Sequence, residues 1–149
     1  VEKSAGAKIS LPEVSQLGVV VKDVDEAVKY YSSKFGIGPF RVTTVSRTGA
    51  MVHGKPANYK AKLAFAEMGR LQLELIQILE GETIQKEFLE RKGEGLHHLG
   101  FQVKDLEAEV AKWQKLGFKV LQRSKEPLFA YMDTDRVAGV IFELIQSSK

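Results

Sequence analysis

Gln16-Leu-Gly-Val-Val-Val-Lys-Asp23 returns later in the chain as His98-Leu-Gly-Phe-Gln-Val-Lys-Asp105. Leu17, Gly18, Val21, Lys22 and Asp23 are matched by Leu99, Gly100, Val103, Lys104 and Asp105. Each copy runs into an amphipathic helix. The first puts Val24, Ala27, Val28, Tyr31 and Phe35 on one face, and the second Leu106, Val110, Trp113 and Leu116. Asp23 or Asp25 caps the first helix and Asp105 the second, and the helices end at Gly36 and Gly117. A second echo follows, with Leu73-Glu-Leu-Ile-Gln77 returning as Phe142-Glu-Leu-Ile-Gln146. Each half thus reads strand, helix, then strands, and ends on a strand with a central glutamate. Two such halves imply duplication and an internal pseudo-twofold axis. The fold class is α+β, in one domain over residues 1–149 with modules near 14–80 and 96–147 and a leader over 1–12.

Between the echoes, strands are expected near 15–22, 40–47, 60–67 and 70–79, then near 97–103, 117–123, 128–133 and 138–146. Gly38 and Pro39 mark the exit from the first helix. Arg47–Tyr59, with its glycines, Pro56 and Asn58, is expected to be a mobile loop and a candidate lid. Thr83–Arg91 reads as a short helix with Ile84, Phe88 and Leu89 on its apolar face, and Glu90–Gly95 as the linker between halves.

Composition narrows the chemistry. The chain has 149 residues, 44% hydrophobic and 28% charged, the balance of a globular protein with a real core. It has no cysteine, which excludes disulfides, thiolate metal sites and cysteine nucleophiles. Any metal must be held by imidazole, carboxylate, amide or water. No apolar run reaches the length of a membrane span, and Val1–Ser10 is polar with no apolar signal core, so a cytoplasmic protein is expected. The net charge of +3 favours small anions, but the basic residues are dispersed and nucleic acid is not an expected partner.

Strand alternation singles out four polar residues. Side chains point to opposite faces with period two. Leu17, Val19 and Val21 share a face, leaving Gln16, Gly18 and Val20 opposite. Leu71, Leu73 and Leu75 likewise leave Gln72, Glu74 and Ile76. Leu99, Phe101 and Val103 leave His98, Gly100 and Gln102. Val140, Phe142 and Leu144 leave Ile141, Glu143 and Ile145. A single glutamate in such a strand ordinarily faces solvent. The repeat makes Gln16 equivalent to His98 and Glu74 to Glu143, so the pseudo-axis draws all four together. Two carboxylates buried side by side cost several kcal/mol or more each unless compensated, and a shared divalent cation compensates them. Gln16, Glu74, His98 and Glu143 are therefore the candidate metal ligands, for one divalent ion among Co, Ni, Zn, Mn and Mg. Alternation turns His97 away from His98 and makes it structural or a support to the ligands. His53 lies in the loop.

These residues resemble the vicinal-oxygen-chelate superfamily, which includes glyoxalase I, methylmalonyl-CoA epimerase, extradiol dioxygenases and bleomycin-resistance proteins. The resemblance spans about Val14 to Gln146. It implies two tandem βαβββ modules whose sheets curl into a cup around a metal site, with ligands on the first and last strands of each module. Within the superfamily, Phe88-Leu-Glu-Arg-Lys-Gly-Glu-Gly-Leu-His-His98 resembles methylmalonyl-CoA epimerase. The ligand set Gln, Glu, His, Glu is similar to that of some glyoxalase I enzymes. Epimerases of this type carry a further glutamate before the third strand, where Lys55–Lys60 offers no acid.

The resemblance implies a metal-dependent isomerase or epimerase that removes a proton next to a metal-bound carbonyl. The base is then Glu143 or Glu74, with Glu143 favoured by analogy with the glyoxalase type. The implied substrate is a small carbonyl compound or acyl thioester, anionic, and basic residues of Arg47–Lys62 are candidates to hold its anionic tail. A homodimer is also implied. Two other functions fit the same cup: a lactoylglutathione lyase of the glyoxalase I type, and a binding protein of the resistance kind that does no chemistry.

Overall fold

The two copies of the repeat lie side by side, antiparallel, at the centre of the molecule. In a computed structural model, residues 8–147 are described, so the expected leader lies outside the described residues as far as residue 7. The elements in order are β1 (Val14–Val20), α1 (Val24–Phe35), β2 (Arg41–Val52), β3 (Lys55–Met68) and β4 (Leu71–Glu80). Then come α2 (Ile84–Lys92), β5 (Gly95–Val103), α3 (Leu106–Lys115), β6 (Val120–Lys125), β7 (Leu128–Met132) and β8 (Ile141–Gln146). The strands form one mixed, curled sheet in the order β1-β4-β3-β2-β6-β7-β8-β5, closed by the pairing of β5 with β1. Each module pairs its first and last strands in parallel, β1 with β4 and β5 with β8. On the other side the sheet is joined by short pairing of Met51 with Arg123 and Val52 with Gln122, and the His53 N–H donates to the Leu121 carbonyl. Among the described residues no helix is long and apolar enough to cross a membrane.

The pseudo-axis is visible in the β1–β5 register. Gln16 pairs with Gly100, Leu17 with Leu99 and Gly18 with His98. Gln16 and His98 therefore each face the glycine of the other copy. A Cβ on Gly18 would stand 2.0 Å from the His98 ring, and one on Gly100 would stand 3.0 Å from Gln16 Cβ. The repeated glycine is thus a space requirement of the neighbouring strand rather than a turn signal.

The same doubling fixes the helices. Asp23 accepts a hydrogen bond from the Glu26 N–H and Asp105 from that of Ala108, each satisfying one of the orphan donors of a helix start. The repeated glutamines act from the last strand of each module: Gln77 Oε1 accepts from Val24 N and Gln146 Oε1 from Leu106 N, both at 2.8 Å. Asp25 instead pairs with Lys62. Outside the sheet, Leu106, Val110 and Trp113 pack on Phe101, Ala130, Met132 and Leu144, and Val24 packs on Val21, Ala64, Leu73 and Leu75. Each fully buried large side chain here stabilises by roughly 1.5–3 kcal/mol. Phe35 and Leu116, at the ends of their helices, are exposed rather than packed on the sheet.

Arg47–Tyr59 is not a loop. It is the outer part of a long β2–β3 hairpin, in which only the His53-Gly54 turn lies outside the strands. The expected lid is therefore wall. A β-bulge hides the strand from pattern reading: Arg47 pairs with Tyr59 and Ala50 with Ala57, so Thr48 and Gly49 together face Asn58. Gly49 supplies the positive φ of 76° that the bulge uses, and its N–H donates to Asn58 Oδ1. The bulge shifts the alternation, so that Val45 and Arg47 before it and Ala50 and Val52 after it all lie on the protected side. The linker is also shorter than expected, because α2 runs to Lys92 and β5 begins at Gly95.

Candidate metal centre

Four polar side chains are buried where the modules meet: Gln16 on β1, Glu74 on β4, His98 on β5 and Glu143 on β8. They are the four that alternation and the repeat select. Ligand atoms of Glu74, His98 and Glu143 lie within 4.8 Å of one another, a group that could hold a metal ion. His98 Nε2 is 3.1 Å from Glu143 Oε1, 3.6 Å from Glu74 Oε1 and 3.3 Å from Gln16 Oε1.

The donor set tests whether a cation fits. One terminal atom of the Gln16 amide lies 2.9 Å from Gln72 Oε1, and the other lies 3.3 Å from Glu74 Oε1 and 3.0 Å from Glu143 Oε1. With its nitrogen inward the amide donates to both carboxylates, and with its oxygen inward it can join them as a ligand, so one turn of the amide serves the metal-free and the loaded site. Two carboxylates, one imidazole nitrogen and an amide oxygen form a donor set for a borderline-to-hard divalent ion.

The electrostatics agree. Burial alone would lower the His98 pKa, but Glu143 and then Glu74 outweigh it and hold the imidazole at about 9. Burial pushes the Glu143 carboxyl up, and the charge on His98 opposes that rise. A proton on His98 thus occupies the electrostatic place of a cation, and a metal must displace it.

His97 departs from expectation. It is not turned away on the far face. A register shift between Gly18 and Val19 leaves it out of the β1 ladder, and both histidines are fully buried with their Nδ1 atoms 3.0 Å apart. Burial, then His98 and Arg91, drive the His97 pKa down to about 2, so it is neutral. A neutral His97 can accept the Nδ1–H of His98, which leaves His98 Nε2 as a lone-pair donor towards the acids. His53 sits at the hairpin turn and pairs with Glu87 at 2.9 Å, outside the cluster.

Three further residues line the cavity, of which sequence reading reached only Arg47, as one of the basic residues of Arg47–Lys62. Tyr131 pairs with Glu143 across β7–β8, and its phenol favours the ionised form of that carboxyl. Its ring also meets that of His98 edge-on at 5.0 Å. Strand pairing could have found it, since a residue opposite a ligand shares its face. Arg47 and Tyr59 line the same cavity from the β2–β3 wall. The bulge beside them removed the alternation that would have pointed inward. The cavity holds about 160 Å³, and Leu63, Phe65, Ile76, Phe129 and Ile145 form its apolar sides.

Two copies of one βαβββ plan meeting at a buried acid cluster define a class, the paired-module scaffold of the vicinal-oxygen-chelate type. The chain belongs to the Glyoxalase/Bleomycin resistance protein/Dioxygenase superfamily, whose model matches residues 15–134. Members of this superfamily are often metal-dependent enzymes. Among curated proteins, the uncharacterized protein YqjC of Bacillus subtilis is 24% identical over 138 residues, covering 89% of this chain and 91% of the relative. Among solved structures, a variant of Streptomyces coelicolor methylmalonyl-CoA epimerase in complex with 2-nitronate-propionyl-CoA aligns with a TM-score of 0.72. It is 22% identical and covers 93% of this chain and 96% of that one. Methylmalonyl-CoA epimerase from Mycobacterium tuberculosis aligns at 0.65 with 19% identity, over 91% of this chain and 88% of its own. At these identities the likeness is one of fold.

Proposed function

We propose that this protein is a divalent-metal-dependent isomerase, of the methylmalonyl-CoA epimerase kind, that moves a proton on the carbon next to a carbonyl. The buried cluster of Glu74, His98 and Glu143, with ligand atoms within 4.8 Å of one another, is the observation that carries the reading. Gln16, Glu74, His98 and Glu143 would hold the ion. When bound, the ion supplies Lewis acidity to the carbonyl oxygen of the substrate.

The chain's own residues do the rest. Glu143 is the base. Its carboxyl is buried at the site, and to take the proton it would shift partly off the ion that it also holds. Glu74 is the second candidate for the same role. Tyr131, whose phenol favours the ionised form of Glu143, orients the carboxyl for the proton transfer. The apolar walls from Leu63, Phe65, Ile76 and Phe129 exclude water and strengthen these charges. A small carbonyl compound or acyl thioester is the substrate class, in keeping with the acyl-CoA analogue in the Streptomyces coelicolor complex. A cytoplasmic homodimer belongs to the same reading.

One observation favours a second reaction. The set Gln16, Glu74, His98 and Glu143 resembles that of glyoxalase I-type lyases, which act on the hemithioacetal of glutathione. Elemental analysis of chelator-free protein should find about one metal per chain. Incubation of the metal-loaded protein with methylmalonyl-CoA in deuterated water should then label the carbon between the carbonyls. Full metal occupancy without labelling, together with turnover of the methylglyoxal–glutathione adduct, would transfer the assignment to the lyase. Absence of metal, with no gain on adding Co or Ni, would sink both.

A further inference from the structure

We infer that Arg47 and Tyr59 form a carboxylate subsite, and that the natural substrate is a short carbonyl compound carrying a second, distal carboxylate. The inference deepens the isomerase reading and rests on it for the chelating end of the substrate.

Arg47 is the only cation among the described residues that line the cavity, and it is half-buried there. Among the described residues Arg41, Arg47 and Arg91 pair with no carboxylate, whereas Arg70, Arg123 and Arg136 each have an acid, and of the unpaired three only Arg47 lines the cavity. Its neighbour is the Tyr59 phenol. The two are cross-strand partners that line the same cavity, and the Arg47 charge opposes the rise that burial gives the Tyr59 pKa. A planar guanidinium beside one phenol keeps most of its donors free, in a fork that matches the two oxygens of a carboxylate.

The backbone is shaped to aim it. The two-against-one bulge at Thr48 and Gly49 follows Arg47 directly, and such bulges re-aim side chains beside functional sites. Without it, Ala50 and Val52 would fall on the opposite face of the strand, and the hairpin would not hold both them and Arg47 inward.

Charge and size narrow the ligand. Glu74 and Glu143 balance a divalent ion, which leaves the charge of Arg47 for the substrate to match. The same phenol feels both acids across the cup, so the two ends belong to one electrostatic site. A cavity of about 160 Å³ is below the roughly 300–1,000 Å³ of drug-sized sites, so the enclosed part of the ligand is small.

The test uses 2-oxoglutarate and its distal monomethyl ester, titrated calorimetrically into the full chain with and without Co²⁺. The two share the chelating oxo-acid end and differ in the distal charge. The wild type should bind the acid at least about tenfold more tightly than the ester. Arg47→Gln should bring that ratio to about one without weakening the ester, and Arg47→Lys should restore part of it, a point charge replacing a fork. Equal affinities in the wild type would overturn the subsite, with no variant needed. So would an unchanged ratio in Arg47→Gln that retains its far-ultraviolet spectrum. An Arg47-dependent ratio in a protein that exchanges no deuterium would leave the subsite standing and remove the isomerase.

Discussion

The two modules share a floor and differ in their walls. β1 with β4 and β5 with β8 follow one plan, down to the glycine opposite each of Gln16 and His98 and the glutamine that holds each helix start. The hairpins beyond them do not. β2 and β3 have 12 and 14 residues, while β6 and β7 have 6 and 5. The long hairpin brings Arg47 and Tyr59 into the cavity, and the short one brings Phe129 and Tyr131. The duplicated part gathers the donors, which a pseudo-axis does at once by bringing equivalent positions together. The part that diverged offers the substrate different groups on its two sides. Symmetry gathers the four candidate ligands, and its loss makes the two sides of the cavity unlike.

This comparison can be broken at several depths. The largest effect is expected within the floor. Glu143→Gln keeps the shape of the side chain and removes the base, so turnover should fall by about 10²–10⁴-fold. Circular dichroism should be unchanged. Retained activity would move the base to Glu74 and make the two halves of the floor unequal in the opposite sense.

A smaller effect separates the two glycines. Gly18→Ala would push a methyl group into the His98 ring, with 2.0 Å available, and metal affinity should fall by about tenfold or more. Gly100→Ala meets Gln16 Cβ at 3.0 Å, where a modest shift suffices, and should cost less. Competition with a fluorescent chelator reads both. Equal losses would show that His98 is no more constrained than Gln16.

The smallest effect is in pH. The folded-state pKa of His98 is raised from 6.5 to about 9, so its charge stabilises the metal-free protein fully below pH 6.5. That contribution is lost as pH rises through about 9. The melting temperature of metal-free protein should therefore fall over this window. The metal-loaded protein, whose His98 carries no proton on Nε2, should show no such fall. Scanning calorimetry at several pH values distinguishes the two, and parallel curves would mean that no ion displaces the proton.

Bulges set the limit of what could be read in advance. Glu74 and Glu143 lie in runs of unbroken register, and Gln16 and His98 each begin a regular run just after an irregularity, so the burial of their opposite faces was predictable. Two places break the pattern. At the bulge after Arg47 the alternation shifts, and a wall strand resembled a glycine-rich loop. At His97 the ladder skips a residue, and a side chain expected on the far face lies beside His98 instead.

The sequence by itself determined the doubled plan, the helix caps and the four residues on the pseudo-axis, because repetition and period-two alternation are local properties that survive in one dimension. Tertiary structure alone decided that Arg47, Tyr59 and Tyr131 share a cavity with them, and that the Gln16 amide meets two carboxylates. Those facts depend on strand register, on where bulges fall and on how the sheet closes. Each is set by contacts between residues far apart in the chain, which no local pattern records.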